Sequence, residues 1–394
     1  MKYFFFTIKK MIKRTSIIGV LLACILLSVV YFSVNVYRSD KFMRNLETEL
    51  NERILSYDER VESPEDEEDL AYVTDALQST EEELTAIKGS TEDYLEYFIQ
   101  KEMLYLYGLN ETYPDETTEY AKLIATELLK NDIQPMFPLS YLIDDILIGH
   151  MSEEAQEYWR ENNPTFYERG VYFIWYLVKG VAILGILVII MLMLFAPLAS
   201  EKDLNKHLNL LKSEGLSSST IYFSAYISRI LIMYVFIVAF FLVTFGVTSM
   251  INGVGSFNYP VLLFTDKSIF RTMALSDYLT QTSVLILLVG LFVSSYSQLV
   301  EALIPQRFLS LLVEIGIFFI AFILPYHKWN PFSYFQFNKI ITEGFPKTLE
   351  DYLNSSNIEM TVLNNATITL IVSSLVCVLV GYVIFVTVTA KKRG

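Results

Sequence analysis

Cysteine, histidine and phosphate-binding loops are scarce in this chain, and each scarcity excludes a class of chemistry. Only two cysteines occur in 394 residues, Cys24 and Cys377, and both fall inside apolar runs. No disulfide framework therefore holds the polar part of the chain, and no CxxC or zinc-ligand spacing exists. The three histidines, His150, His207 and His327, are scattered, with no HExxH pair. No serine stands in a GxSxG elbow. No GxxxxGK(S/T) loop is present, so the chain has no phosphate cradle of its own. The acidic run Glu65–Asp69 lacks the alternating ligands and central glycine of an EF-hand, and reads as a solvated helix start. Asp144 and Asp145 are adjacent, so on a helix their carboxylates point apart. No catalytic, cofactor or metal site is expected, and the chain is not read as an enzyme. β-alternation is also scarce, and no internal repeat is visible.

What the chain has in abundance is apolar sequence. Apolar residues make up 53% of it, and mean hydropathy is +0.39. Six runs are long enough to cross a hydrocarbon core of about 30 Å at about 1.5 Å per residue. They are Ser16–Val34, Tyr172–Leu198, Tyr222–Ile251, Thr280–Ile304, Phe308–Leu324 and Ala366–Thr389. The fifth, at 17 residues, is the shortest. The first is longer than the apolar core of a secretory signal and lacks a small-x-small cleavage site, so it reads as a retained anchor.

Charge gives this layout an orientation. Lys2, Lys9, Lys10, Lys13 and Arg14 precede the first run, and Lys202, Lys206 and Lys212 lie between the second and third. Arg307 lies between the fourth and fifth, and Lys391, Lys392 and Arg393 follow the sixth. With six spans all of these fall on one side, which the positive-inside rule makes cytoplasmic. Both termini are then inside a multi-pass cell membrane. The segment Arg38–Arg169 holds 33 acidic and 11 basic residues, net −22, and the remainder is net +8. The expectation is an all-α polytopic membrane protein with six transmembrane helices and a helical extracellular domain. Residues 1–37 form the first segment and span, 38–169 the acidic outer domain, and 170–394 a five-helix membrane domain. An exported region without cysteine, and a bias to Ile, Lys, Asn, Tyr and Phe, point to a bacterial, Gram-positive source.

The outer segment reads as helices. Met43, Leu46, Leu50 and Ile54 recur at helical spacing directly after the first span, so that helix is expected to continue outward. Ser63 reads as the next N-cap with Pro64 at the first helical position, ahead of a stripe Leu70, Val73, Leu77, Leu84 and Ile87 that ends at Gly89. Ser90 or Thr91 then caps a helix through Leu95, Phe98 and Leu106 to Gly108. Shorter helices are expected over Thr117–Leu129, Leu139–Ile148 and Glu153–Glu161.

One polar loop stands out. From Ser200 to Leu216 a capping box (Ser200, Asp203) opens a helix whose Leu204, Leu208 and Leu211 share one face. Glu201, Lys202, Asn205, Lys206, Asn209 and Lys212 cover the others, Gly215 ends it, and serines 217–219 can cap the next helix. Such a helix either rests on lipid or enters a groove on a cytosolic partner. The order Glu-Lys, Leu-Leu-Lys-Ser-Glu-Gly-Leu-Ser, Ile-Tyr-Phe-Ser, within residues 201–224, resembles the segment before the third span of ABC-transporter permeases of the type-2 exporter class. Asn330, Pro331, Phe332, Ser333, Tyr334 and Phe335, with Gly344, resemble that family's outer stretch between spans five and six, here 325–365.

The resemblance implies six spans, a coupling helix (200–216) against an ATPase, and short re-entrant helices at the outer stretch. Glu201, Lys202, Leu204, Leu208, Leu211, Lys212 and Gly215 would carry the coupling. ATP and Mg would sit on a separate cytosolic ABC ATPase. A second permease copy, identical or related, would complete the membrane unit. The 130-residue insert after span one departs from most of the family and matches its peptide-export and antibiotic-resistance branches. No nucleic-acid partner is expected, whereas a cationic peptide suits the outer charge.

Charged and polar residues within spans are the pathway candidates. Glu314 lies about two turns into the fifth run, with a structural partner (a hydroxyl or Arg229) and a pathway role both open. Lys179 lies about two turns into the second run, Glu301 and Arg229 lie near the cytoplasmic ends of the fourth and third, and all three read as snorkelling or placed at the interface. Ser294, Ser295, Ser297 and Gln298 form a polar patch that packing of small residues explains equally well. The competing functional reading is a membrane sensor or scaffold whose outer domain binds a ligand. A four-span permease of the mechanotransmission type would leave two runs unused.

Overall fold

The computed structural model describes residues 15–64, 66–89, 123–124, 126–133, 136, 166–179, 215–266, 269–304, 306–323, 327–336, 340–342, 345–346, 358–359 and 362–391. They are mostly helical. The long elements are α1 (Thr15–Glu62), α2 (Glu67–Lys88), α3 (Gly170–Lys179), α4 (Ser218–Asn252), α5 (Leu275–Leu303), α6 (Arg307–Ile323) and α7 (Val362–Lys391). A two-stranded antiparallel hairpin, β1 (Pro260–Asp266) with β2 (Ile269–Ala274), precedes α5. A 3-10 helix (Pro331–Phe335) and a small pair, β3 (Phe345–Pro346) with β4 (Ile358–Glu359), lie between α6 and α7.

Four helices among the described residues are long and apolar enough to cross a membrane: α1, α4, α5 and α7. Of the other two apolar runs, α6 is 17 residues, about 26 Å, at the short end of the range for a crossing. The second run is described only over Gly170–Lys179, and 180–198 lies outside the described residues.

α1 is continuous for 48 residues, about 72 Å. Its apolar part leaves Leu22, Leu26, Leu27, Val30 and Val34 exposed, as a lipid-facing surface does. Beyond Arg38 it becomes a polar helix with an Arg53–Glu49 pair one turn apart. It stops just before Pro64, which lacks an N–H and disfavours helix in the residue before it. The next cap is Asp66 rather than Ser63. Asp66 accepts from the Asp69 backbone N–H at 2.7 Å, while the Ser63 hydroxyl donates back to the Glu59 carbonyl. The acids at Glu67, Glu68 and Asp69 then lie in the favourable first turn. α2 returns along α1, clamped by an Arg60–Asp69 ion pair, with Leu50 and Val73 buried.

The region between α4 and α5, read from sequence as a loop, contains the β1–β2 hairpin. It sits at the end of the bundle where α3 begins and α4 finishes. The Gly170 and Val171 N–H groups donate to the Gly253 and Val254 carbonyls at 3.0 and 2.8 Å. Asn252 donates to the Glu168 carbonyl, and Ser39 of α1 donates to the Glu168 carboxylate at 2.6 Å. Tyr167, Tyr172, Trp175, Tyr259 and Tyr278 pack here ring against ring as a buried aromatic cluster. Ile124, Leu128, Ile133 and Met136 of the acidic segment join the same apolar cluster.

α4 and α5 run antiparallel: Tyr226, Arg229 and Tyr234 of one bond Ser295, Glu301 and Leu287 of the other. α7 closes the bundle. A Cβ on Gly381 would meet the Tyr222 hydroxyl at 2.6 Å and the Leu299 backbone at 3.3 Å, so a larger residue there would push the Tyr222 hydroxyl aside and crowd α5. Tyr222 donates to the Val378 carbonyl at 3.1 Å.

Candidate functional site

The buried charged residues of the bundle, with several hydroxyls and Gln298, lie on one seam along α4, α5 and α6. Helical spacing explains the gathering. Ser294, Ser297, Gln298 and Glu301 stand at i, i+3, i+4 and i+7, one face of α5. Tyr222, Tyr226, Arg229 and Met233 recur every three or four residues on α4, and Ser310 and Glu314 are one turn apart on α6.

The seam has three contacts along its length. Toward the bundle centre, the Ser294 hydroxyl approaches the Met233 sulfur at 3.4 Å. At the next residue, Ser295 gives its proton to the Leu291 carbonyl, so the Tyr226 hydroxyl donates to Ser295 Oγ at 2.7 Å. Then Arg229 Nη2 donates to Glu301 Oε2 in a buried ion pair. Their side chains are 5% and 17% exposed. The pairing replaces the snorkelling expected from sequence: each charge lies near a helix end, and the antiparallel packing brings those ends together.

Glu314 is fully buried. Its Oε1 accepts from Ser310 Oγ at 3.0 Å and from Ser297 Oγ at 3.2 Å. Its immediate partners are therefore hydroxyls. Five buried polar atoms of the seam have no hydrogen-bond partner among the described residues: Arg229 Nε and Nη1, Gln298 Oε1, Glu301 Oε1 and Glu314 Oε2.

The other singled-out residues lie elsewhere. Lys179 has its Nζ 5.9 Å from the Trp175 ring, in the aromatic cluster. Asn330 caps the 3-10 helix, its Oδ1 accepting from the Phe332 N–H at 3.1 Å, with Pro331 at the first position. Phe332 stands edge-on to Phe292 and Tyr296 of α5. Phe292 is 17 residues from the start of α5, about 26 Å along it, so this short helix packs well down the bundle. Tyr334 is buried and donates to the Lys328 carbonyl, which also accepts from Thr369 of α7. Glu201, Lys202, Leu204, Leu208, Leu211, Lys212 and Gly344 lie outside the described residues. Gly215 has φ +81, a left-handed turn that suits glycine, and Ser217 caps α4 by accepting from the Thr220 N–H at 3.1 Å.

Sequence reasoning passed over Ser310. Its one-turn spacing to Glu314 was the available signal. Among the described residues no three His, Cys, Asp or Glu side chains gather as a metal site. No family model, no curated protein and no solved structure matches the chain.

Proposed function

We propose that this chain is the membrane-spanning permease subunit of an ATP-driven ABC exporter, moving a peptide or amphipathic compound outward. The observation that carries the reading is the buried Arg229–Glu301–Glu314 seam. Charge within a membrane-crossing bundle is costly, and apolar replacements would serve an anchor at least as well. Such groups belong to proteins whose spans bind or move something. The 3-10 helix wedged among α5, α6 and α7 fits the same reading, because irregular backbone at depth is tolerated only inside protein or beside a cavity.

The chain has no phosphate cradle, so the motor is a separate cytosolic ATPase, docked on the amphipathic segment 200–216. A second copy, or a related permease, would complete the unit. The exposed apolar faces of α1, α4 and α7 offer it a surface in the lipid. The cargo class is cationic peptide, in keeping with the net charge of −22 on residues 38–169.

The test is purification of the full chain from native membranes, followed by assay of nucleotide hydrolysis. The expected result is a co-purifying ATPase whose activity is uncoupled from export by Leu208→Asp or Leu211→Asp while the spans stay folded. Export and association that survive both changes would remove the coupling assignment. The sensor reading has one observation in its favour, the unbroken α1, a rod from membrane to acidic segment. Ligand binding by the full chain with no ATPase in the preparation would favour it.

A further inference from the structure

Three charged groups meet in the α4–α5–α6 seam, and their charges do not balance. Arg229 supplies one positive charge, while Glu301 and Glu314 supply two negative ones when ionised. Arg229 is committed to Glu301. Glu314, fully buried on α6, receives two hydroxyls on Oε1 and, among the described residues, nothing on Oε2. An ionised Glu314 would leave the seam at net −1 with a bare carboxylate oxygen, in a bundle where an uncompensated charge is costly. Buried carboxylates in that position take up a compensating cation.

We infer that Glu314 binds one exchangeable monovalent cation, a proton or Na+, in a site completed by Ser297 and Ser310. The donor set is hard oxygen throughout, which suits either ion and excludes a soft metal. Gln298 Oε1 and Glu301 Oε1 add two unpartnered oxygens on the α5 face that carries Ser297. The charged and titratable groups around Glu314 are Arg229 of α4, Glu301 and Tyr296 of α5, and, beyond Tyr296, Cys377 of α7. The 3-10 helix brings only Tyr334, whose hydroxyl is spent on the Lys328 carbonyl. The site sits between α5 and α6, so loading it removes a repulsion between Glu301 and Glu314 and lets the two helices pack. It stands whether or not an ATPase engages the chain.

The test uses the full chain in lipid nanodiscs. Infrared difference spectra between acid and alkaline pH read a carboxylic-acid C=O band. Thermal unfolding at alkaline pH, with NaCl against KCl, reads Na+ binding. The expected result is either a titrating acid band or a stabilisation specific to Na+, abolished by Glu314→Gln. The first outcome assigns the proton and the second Na+. Charge counting makes a further demand. Glu301→Gln leaves one carboxylate for one guanidinium, so it also abolishes the signal, and it carries the test if Glu314→Gln fails to fold. A wild-type chain with neither signal overturns the site. So does a signal that survives Glu314→Gln or is indifferent to Glu301.

Discussion

Arg229 bonds Glu301 and also acts on the more distant Glu314 through its charge, so its removal is not equivalent to removal of either carboxylate. Arg229→Leu strands Glu301 without its counter-charge, and unpairing a buried ion pair costs about 3–5 kcal/mol. Glu301→Gln is expected to cost less, because the unpartnered Arg229 nitrogens can turn to Glu314. The double change Arg229→Leu with Glu301→Leu should recover most of the loss. Thermal unfolding of the three variants in nanodiscs checks this order. Equal losses for Arg229→Leu and Glu301→Gln would show that Glu314 does not share the guanidinium. These residues were legible one at a time as charges within apolar runs. Their pairing was not, since 72 residues separate Arg229 from Glu301.

The α1–α2 hairpin depends on one cap, Asp66, and carries one half-buried acid, Glu83. Asp66→Ala removes the side-chain acceptor for the Asp69 N–H and should cost about 1 kcal/mol. Ser63→Ala, by contrast, should change little, because the Ser63 hydroxyl only back-bonds to Glu59. Half-buried Glu83 has its carboxyl pushed above the usual range by burial, against the lowering effect of Arg53, with Glu49 adding to the rise. The folded carboxyl thus holds its proton to higher pH than the unfolded one. Its contribution is full below the unfolded value of about 4.3 and is lost as pH rises through the raised folded value. Glu83→Gln should flatten that part of the stability profile. Circular dichroism melts of the full chain across pH check it, and an unchanged slope would remove Glu83 as its source. The stripe on α2 was readable from spacing. The cap was displaced three residues because Pro64 ends one helix instead of starting the next.

At the scale of the molecule, topology is the quantity to measure. Cys24 and Cys377 can be replaced, and single cysteines placed at Glu52, Asn258, Ser213 and Lys392. With both termini inside, a membrane-impermeant maleimide applied to intact cells labels the first two positions and spares the last two. Labelling at Ser213 from outside would break the six-span layout. The structure supplies one independent reason for grouping Glu52 with Asn258. Ser39 at the start of the polar half of α1, Glu168 before α3 and Asn252 at the end of α4 are hydrogen-bonded at the same end of the bundle.

The sequence alone determined which segments are apolar, where the acidic charge lies, and the helical spacing of the stripes on α1 and α2. Those properties are local, set by composition and a 3.6-residue period. Tertiary structure decided what lies opposite what. It paired Arg229 with Glu301, gave Glu314 the hydroxyls of Ser297 and Ser310, and seated the 3-10 helix against Phe292 and Tyr296. It also formed the β1–β2 hairpin in what reads as a loop. Contacts of this kind depend on helix direction and rotation about each axis. An apolar run that faces lipid on one side and protein on the other carries little sequence signal for either.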